Sequence, residues 1–465
     1  MALSVPTVVF LSLVLDLFAF TIPLPLFPRL IEWFTIREAG DPHGFLSRTL
    51  SFVSSVRGVF YKSAVHSTKW DIVLLGGLMG SVFSTLQFLV SPRIGSLSDR
   101  YGRKKILLYS MVGNLLSALI WMFSSNFAIY MLSRVVGGLS EGNVQLAIAI
   151  LSDVTTPAER SKTLAYVGIA FAICFCIGPP IGAYFAARPL PASLTSSGGP
   201  ELNVYIVPAT ITLILLVVET IFLILMLPET RGRRVVPASE KEKDKDNKPV
   251  KKASAEQRIK TLQTLRWLHF LFLGVFSGVE FTLTFLTFDL FDWSNRQNGT
   301  LIGSIGIISA LLQGGYVRRA TSRTGEGVMA RRGVSACCVG LVLLALLPNF
   351  MKSYPTIALR LLQGAAVCMA FTSATVVNSL TAFASLQCDE TSVDPITGKP
   401  KENSQLAKGK ALGNFRSAGQ LGRALGPLLA CASYWTVGPS LTYAVCAVAM
   451  TALSMGMRPI AVKPA

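Results

Sequence analysis

Charge is scarce in this 465-residue chain, where Asp, Glu, Lys and Arg make up only 15% of positions. A soluble domain carries about 25%. So few charged side chains cannot cover the surface of a water-soluble fold, which excludes an ordinary soluble enzyme. Histidine is scarcer still: His43, His66 and His269 are the only three and form no cluster. Seven of the eight cysteines (Cys174, Cys176, Cys337, Cys338, Cys368, Cys431, Cys446) lie in apolar stretches and Cys388 in a polar loop. Free thiols are therefore expected, with neither a disulfide framework nor a metal site. A Gly-rich phosphate loop ending in Lys-Ser/Thr is missing too, so nothing argues for an ATPase; no cofactor is expected. Acids are the minority sign, 25 against 43 Lys and Arg, for a net charge of +18. Taken alone, that excess suggests nucleic acid or an anionic surface as partner.

Long apolar runs are what the chain has in quantity, with 51% hydrophobic residues and a mean hydropathy of +0.53. Crossing a bilayer takes about 20 apolar residues in a helix. Twelve stretches qualify, near 5–30, 71–92, 106–124, 127–150, 163–186, 203–227, 266–290, 300–317, 333–350, 355–384, 411–433 and 438–457. The first has no basic leader, carries Asp16 in its middle and is followed by Pro23, Pro25 and Pro28. It reads as a retained helix rather than a cleaved signal.

Assigning alternate connections to opposite sides resolves the charge. Thirty Lys and Arg fall in one set of connections and the C-terminal tail, nine in the other set, and four (Arg134, Arg360, Arg416, Arg423) within the helices. By the positive-inside rule both termini are cytoplasmic. The net charge is an orientation signal, and nucleic acid is not an expected partner. The sequon Asn298-Gly299-Thr300 falls in an outward connection close to the membrane.

The sequence also repeats itself. At an offset of 226, Leu75, Gly77, Gly80, Leu86, Gln87 and Arg93 fall on Leu301, Gly303, Gly306, Leu312, Gln313 and Arg319. An offset of 248 sets Gly178-Pro179 on Gly426-Pro427. The expected fold is an all-α membrane protein of twelve transmembrane helices in two six-helix repeats. Its parts are 1–227, a charged cytoplasmic linker at 228–265, and 266–465 with a polar, disordered loop within 385–410. In folds of two parallel repeats, substrate sites lie near the midplane between the halves.

The connection after the second helix reads Gly95-Ser-Leu-Ser-Asp99-Arg100-Tyr-Gly102-Arg103-Lys104-Lys105. Gly95 permits close helix approach, Asp99 suits the positive N-terminus of a helix in the other half, and the basic cluster can pair with Asp153. This loop resembles the signature of the major facilitator superfamily. In that family it latches the cytoplasmic side shut. Gly168 with Gly178-Pro179-Pro180-Ile-Gly182 is similar to the antiporter motif, where small residues form a tight contact between halves. Leu132-Ser-Arg134-Val-Val-Gly137-Gly138 resembles the third motif, whose arginine faces the cavity and is linked to proton coupling. With Asp16 and a Pro228-Glu229-Thr230 ending, the set resembles tetracycline-resistance-type drug:proton antiporters. Gly138-Leu-Ser-Glu-Gly-Asn143, Ser277-Gly-Val-Glu280 and Arg416 through Arg423 resemble the animal, tetracycline transporter-like members. The second copy of the signature is reduced to Arg318-Arg319 and Gly325, and Arg360 and an acid at 141 depart from the animal pattern.

Charges inside a bilayer are costly and tend to mark pathways. Asp16, Glu141 and Glu280 fall about half way along helices that line the cavity in such a fold, and are proton-coupling candidates. Arg134, Arg416, Arg423, Gln87 and Gln313 are substrate-binding candidates, with guanidinium groups suited to an organic anion. Glu219 lies on a peripheral helix and is expected to snorkel. Phe281, Phe285, Phe288 and Phe291 are expected to face lipid. The resulting expectation is a monomeric secondary transporter in the plasma membrane or an organelle membrane, exchanging protons for an amphipathic organic solute. Open alternatives are a uniporter or symporter of a small metabolite, and a non-transporting scaffold or receptor on the same fold.

Overall fold

A computed structural model describes residues 3–60, 67–186, 206–232, 254–293, 295–388 and 403–461. The expected linker and the 385–410 loop lie partly outside these residues, at 233–253 and 389–402. Apart from short 3-10 and π turns, every regular element among the described residues is α-helical. The first half comprises α1 (Val5–Thr21), α2 (Phe27–Arg37), α3 (Phe45–Phe60), α4 (Ser67–Tyr101), α5 (Arg103–Met122), α6 (Phe127–Ser140), α7 (Asn143–Asp153), α8 (Pro157–Ala186) and α9 (Ile206–Met226). The second comprises α10 (Ala255–Phe291), α11 (Asn295–Leu312), α12 (Arg318–Thr324), α13 (Glu326–Met351), α14 (Pro355–Gln387), α15 (Lys408–Val437) and α16 (Pro439–Gly456).

Ten membrane-length apolar helical stretches, the shorter apolar α1, and α15, which carries Lys408, Lys410, Arg416 and Arg423, make up the twelve spans. Fully polar backbone groups have no water to bond in a bilayer, so helices that satisfy them internally are the economical solution. The two halves meet along two seams. α15 packs on α4 and α7, while α11 and α14 pack on α8. The basic end of the bundle is the one that bears the Gly95–Lys105 loop.

Four elements depart from the expected segments. The fourth span is broken: α6 stops at Ser140, Glu141 is extended (φ −69°, ψ 95°), and α7 starts after Gly142. The first span ends at Thr21, and the prolines after it hold a 3-10 turn at Leu24–Leu26 before α2 begins. α10 starts eleven residues before the expected 266, because Ser254 and Gln257 form a reciprocal capping box. Asn298 lies in the first turn of α11 rather than in a loop, with its side-chain oxygen accepting from Thr287 Oγ1.

The aromatic run on α10 is packed inside the protein, contrary to expectation. Phe285 is buried, and Phe281, Phe288 and Phe291 pack against the core. Phe281 closes on α4 so tightly that a Cβ on Gly77 would meet its ring at 2.6 Å. At the end opposite the basic one, α2 and α3 add a second core around Leu30, Phe34, Trp121, Phe127 and Tyr130. An Arg57–Asp71 ion pair at 2.6 Å ties α3 to α4.

Candidate functional site

The signature loop binds the two halves together at the basic end. Asp99, in the last turn of α4, faces the first turn of α15, whose unpaired N–H groups form a positive helix end. Its Oδ1 accepts from the Gly409 backbone at 2.8 Å and its Oδ2 from that of Lys410 at 2.7 Å. Gly95 brings the backbones together, since a Cβ there would lie 2.0 Å from the Gly409 carbonyl oxygen. Arg103 is buried and bonds Asp99 at 2.7 Å, Ser98 at 2.6 Å and Asp153 at 2.9 Å. Lys408 of the second half reaches the same Asp153 at 3.3 Å. Arg100 stays outside the network, over the Tyr101 ring, while its carbonyl accepts from Arg231.

Gly102, at φ 105°, starts α5 and leaves room for Glu229. Burial pushes the Glu229 carboxyl up, but backbone N–H donors from Arg231, Arg103, Thr230 and Lys104 outweigh it and hold the group below its ordinary value. Sequence reading gave Glu229 no role of its own, although Pro-Glu-Thr after an apolar run marked the place. It also passed over Arg160, Ser161 and Glu326. Buried Arg160 bonds Ser152 and Thr155 in its own half and Ser385 in the other. Ser161 Oγ donates to the Glu326 carboxylate across the second seam.

Toward the membrane centre the seam tightens on small residues. Ser417 Oγ of α15 donates to the Phe88 carbonyl of α4 at 2.7 Å, and Gly413 lies against Ser91. Gly168 of α8 leaves room for Gln313 and Asn378 of the second half. Gln313 sits in a π turn, with its Oε1 accepting from Asn378 at 3.1 Å. Gln87 is buried in α4. Gly178 and Gly182 face Thr21 and Ile22 at the end of α1, within their own half. Pro179 belongs to the same α8 stretch. The antiporter-like motif thus divides between a seam between halves and packing inside one half.

The intramembrane charges form two groups. In the first half, buried Asp16 accepts from Asn143 Nδ2 at 2.7 Å. The helix break at Glu141–Gly142 is what starts α7 at Asn143 and aims it at α1. Glu141, at the break, and Asp16 lie in the field of each other and of Arg416 from α15. Glu219 does not snorkel: it is fully buried, with Oε1 accepting from Ser12 Oγ of α1 at 2.7 Å. In the second half, Glu280 lies in the field of Arg423. Both side chains are exposed at mid-span rather than packed in the core. His269, about 16 Å before Glu280 along α10, is buried with its ring 4.2 Å from Phe415 and lies in the field of Arg423 and Arg416.

Two arginines lie apart from these groups. Arg134 is boxed by the rings of Phe27, Trp121 and Tyr130 at 5.9, 5.7 and 5.5 Å, in the second core. It belongs to α6, which runs unbroken to Ser140, one residue before Glu141. Arg360 is exposed near the start of α14 and bonds Gln363 at 3.0 Å. Among the described residues no group of His, Cys and acids is arranged to hold a metal ion.

The family model described as Major Facilitator Superfamily matches residues 9–393. Major facilitator superfamily domain-containing protein 10 of Mus musculus is 33% identical over 465 aligned residues, covering 94% of this chain and 89% of that protein. Tetracycline resistance protein, class H, of Pasteurella multocida is 26% identical over 58% of this chain and 63% of its own. The crystal structure of the human organic anion transporter MFSD10 (TETRAN) is similar with a TM-score of 0.78 at 30% identity, over 98% of this chain and 99% of that one.

Proposed function

Since this chain belongs to the major facilitator superfamily, we propose that it exchanges protons for an amphipathic organic anion by alternating access, with both termini and the basic end cytoplasmic. The observation that carries the reading is the position of Arg416: it comes from the second half and lies in the field of Asp16 and Glu141 of the first. Protonating those acids removes their attraction for Arg416 and weakens the seam at the centre, while the Asp99 contacts hold it at the basic end. Proton binding and cytoplasmic opening thereby draw on the same charges. Linkage requires the converse, that opening changes proton affinity by the same factor.

Arg423, His269 and Glu280 supply the anion side of the exchange. A guanidinium accessible at mid-span offers a bidentate site for a carboxylate or sulfonate, and the half-buried Phe281 next to Glu280 offers apolar surface to an amphipathic solute. The similar human structure being that of an organic anion transporter supports the same substrate class. The test is uptake of a fluorescent organic anion by liposomes holding the purified chain, with and without a pH gradient. Gradient-driven uptake is expected in the native chain and its loss in Asp16→Asn. Undiminished gradient-driven uptake by that variant removes the proton role, and no uptake by the native chain removes transport of this class.

A further inference from the structure

Glu219 is the one carboxyl at the centre of the first half that the exchange just described does not use. A carboxylate offers about four lone-pair sites, and among the described residues this one accepts a bond from Ser12, while Oε2 is buried with no hydrogen-bond partner. Among the described residues no Lys or Arg forms an ion pair with it. An ionised carboxylate so placed is costly, and a neutral acid is the ordinary way to avoid the cost.

The surroundings make that proton exchangeable with the site already described. α1 presents Ser12 and, one turn further along the same face, Asp16. Asp16 and Glu141 act on Glu219 electrostatically. From α8 comes Cys174, whose thiol donates to the Val14 carbonyl and lies in the field of Asp16. From α15 comes Arg416, which acts on Asp16 and Glu141. Arg416 thus offsets Asp16 and Glu141, while the charges that act on Glu219 are those two acids.

We infer that Glu219 is a second proton-binding carboxyl of the transport cycle, trading its proton with Asp16 beyond the hydroxyl of Ser12. In that step a proton leaves the O–H of one carboxyl and binds an oxygen of the other, and no other bond changes. The inference rests on the antiport reading above and fixes a consequence for it: two protons cross for each anion.

The equilibrium accumulation ratio tests it, because a slower carrier reaches the same ratio unless its stoichiometry changes. Liposomes with the full chain, fluorescein as the probe anion, and the membrane potential clamped by valinomycin in equal potassium isolate the proton gradient. Each coupled proton multiplies the limiting ratio by about ten for a gradient of one pH unit. A native ratio indifferent to the gradient defeats the antiport reading itself. With a native ratio that follows the gradient, Glu219→Gln is expected to lower the limiting ratio by about tenfold per unit, with fluorescein counterflow showing that the carrier is folded. A ratio equal to the native one in that variant overturns the inference and leaves antiport standing. Should Glu219→Gln not fold, Ser12→Ala keeps the carboxyl but removes the bond that favours its ionised form. A ratio lowered toward one proton and restored by alkaline buffer on the releasing side supports the inference, and a native ratio at every pH overturns it.

Discussion

At the scale of single residues, two acids do the same job at opposite ends of one loop. Asp99 faces the first turn of α15 and Glu229 the first turn of α5, each accepting backbone N–H groups that a helix start leaves unpaired. Asp99 ties one half to the other, whereas Glu229 ties the end of one half to itself. Asp99→Asn keeps the shape but weakens charge-assisted bonds of about 1.5–3 kcal/mol. About 1.4 kcal/mol is a factor of ten in a two-state population, so the variant is expected to populate the state open at the basic end at least tenfold more. Labelling rates of a cysteine placed on the α4–α15 seam report that population.

Glu229 carries the pH dependence. Its carboxyl is held below the ordinary value in the folded chain, so its contribution is complete above the unfolded value of about 4.3 and is lost as pH falls through the lower folded one. The contribution is small, because the side chain is largely exposed. Glu229→Gln is expected to melt lower than the native chain at pH 7, with the gap closing toward pH 3. A thermal-shift series across that range measures it; a gap that widens with acid contradicts the assignment.

At the scale of elements, the sequence placed the spans but misjudged where helices begin, break and bend. Hydropathy responds to composition, and Glu141-Gly142 interrupts the fourth span without interrupting its apolar character. The same blindness put the start of α10 at 266, because 255–265 is polar on average yet held helical by the cap at Ser254. Ser254→Ala removes a capping contribution of about 1 kcal/mol. Amides of 255–261 are then expected to exchange about fivefold faster, with amides beyond 266 unchanged, as hydrogen exchange by mass spectrometry can read. Equal exchange in both segments would mean that tertiary packing, not the cap, holds the first turns of α10.

At the scale of the whole molecule, the described contacts that close the basic end pass between the halves from α15 to α4 and α7, and from α8 to its partners. Gly95→Val sets a branched side chain where even a Cβ lies 2.0 Å from the Gly409 oxygen. The backbones must part, so spin labels at Arg100→Cys and Gln405→Cys, both on the exposed basic surface, are expected to show a longer mean distance than in the Gly95 chain. An unchanged distance distribution would show that the latch tolerates separation at this crossing.

The sequence by itself determined the number of spans, the repeat and the signature loop, because apolar length, charge asymmetry and glycine spacing are local properties written in order along the chain. It also supplied the identities of Asp16, Glu141, Glu280 and Arg416, since a charge in an apolar run stands out without any fold. Which of them meet was decided only by tertiary structure. Arg134 found an aromatic box because Phe27 and Trp121 are brought to it by other elements, beside Tyr130 of its own helix. Gly178 and Gly182 packed on α1 while Gly168 alone met the other half. Glu219 went inward to Ser12 because α9 presents that face to α1. A helical position fixes the direction in which a side chain leaves its own axis, and only the packing of the other helices determines what it finds there.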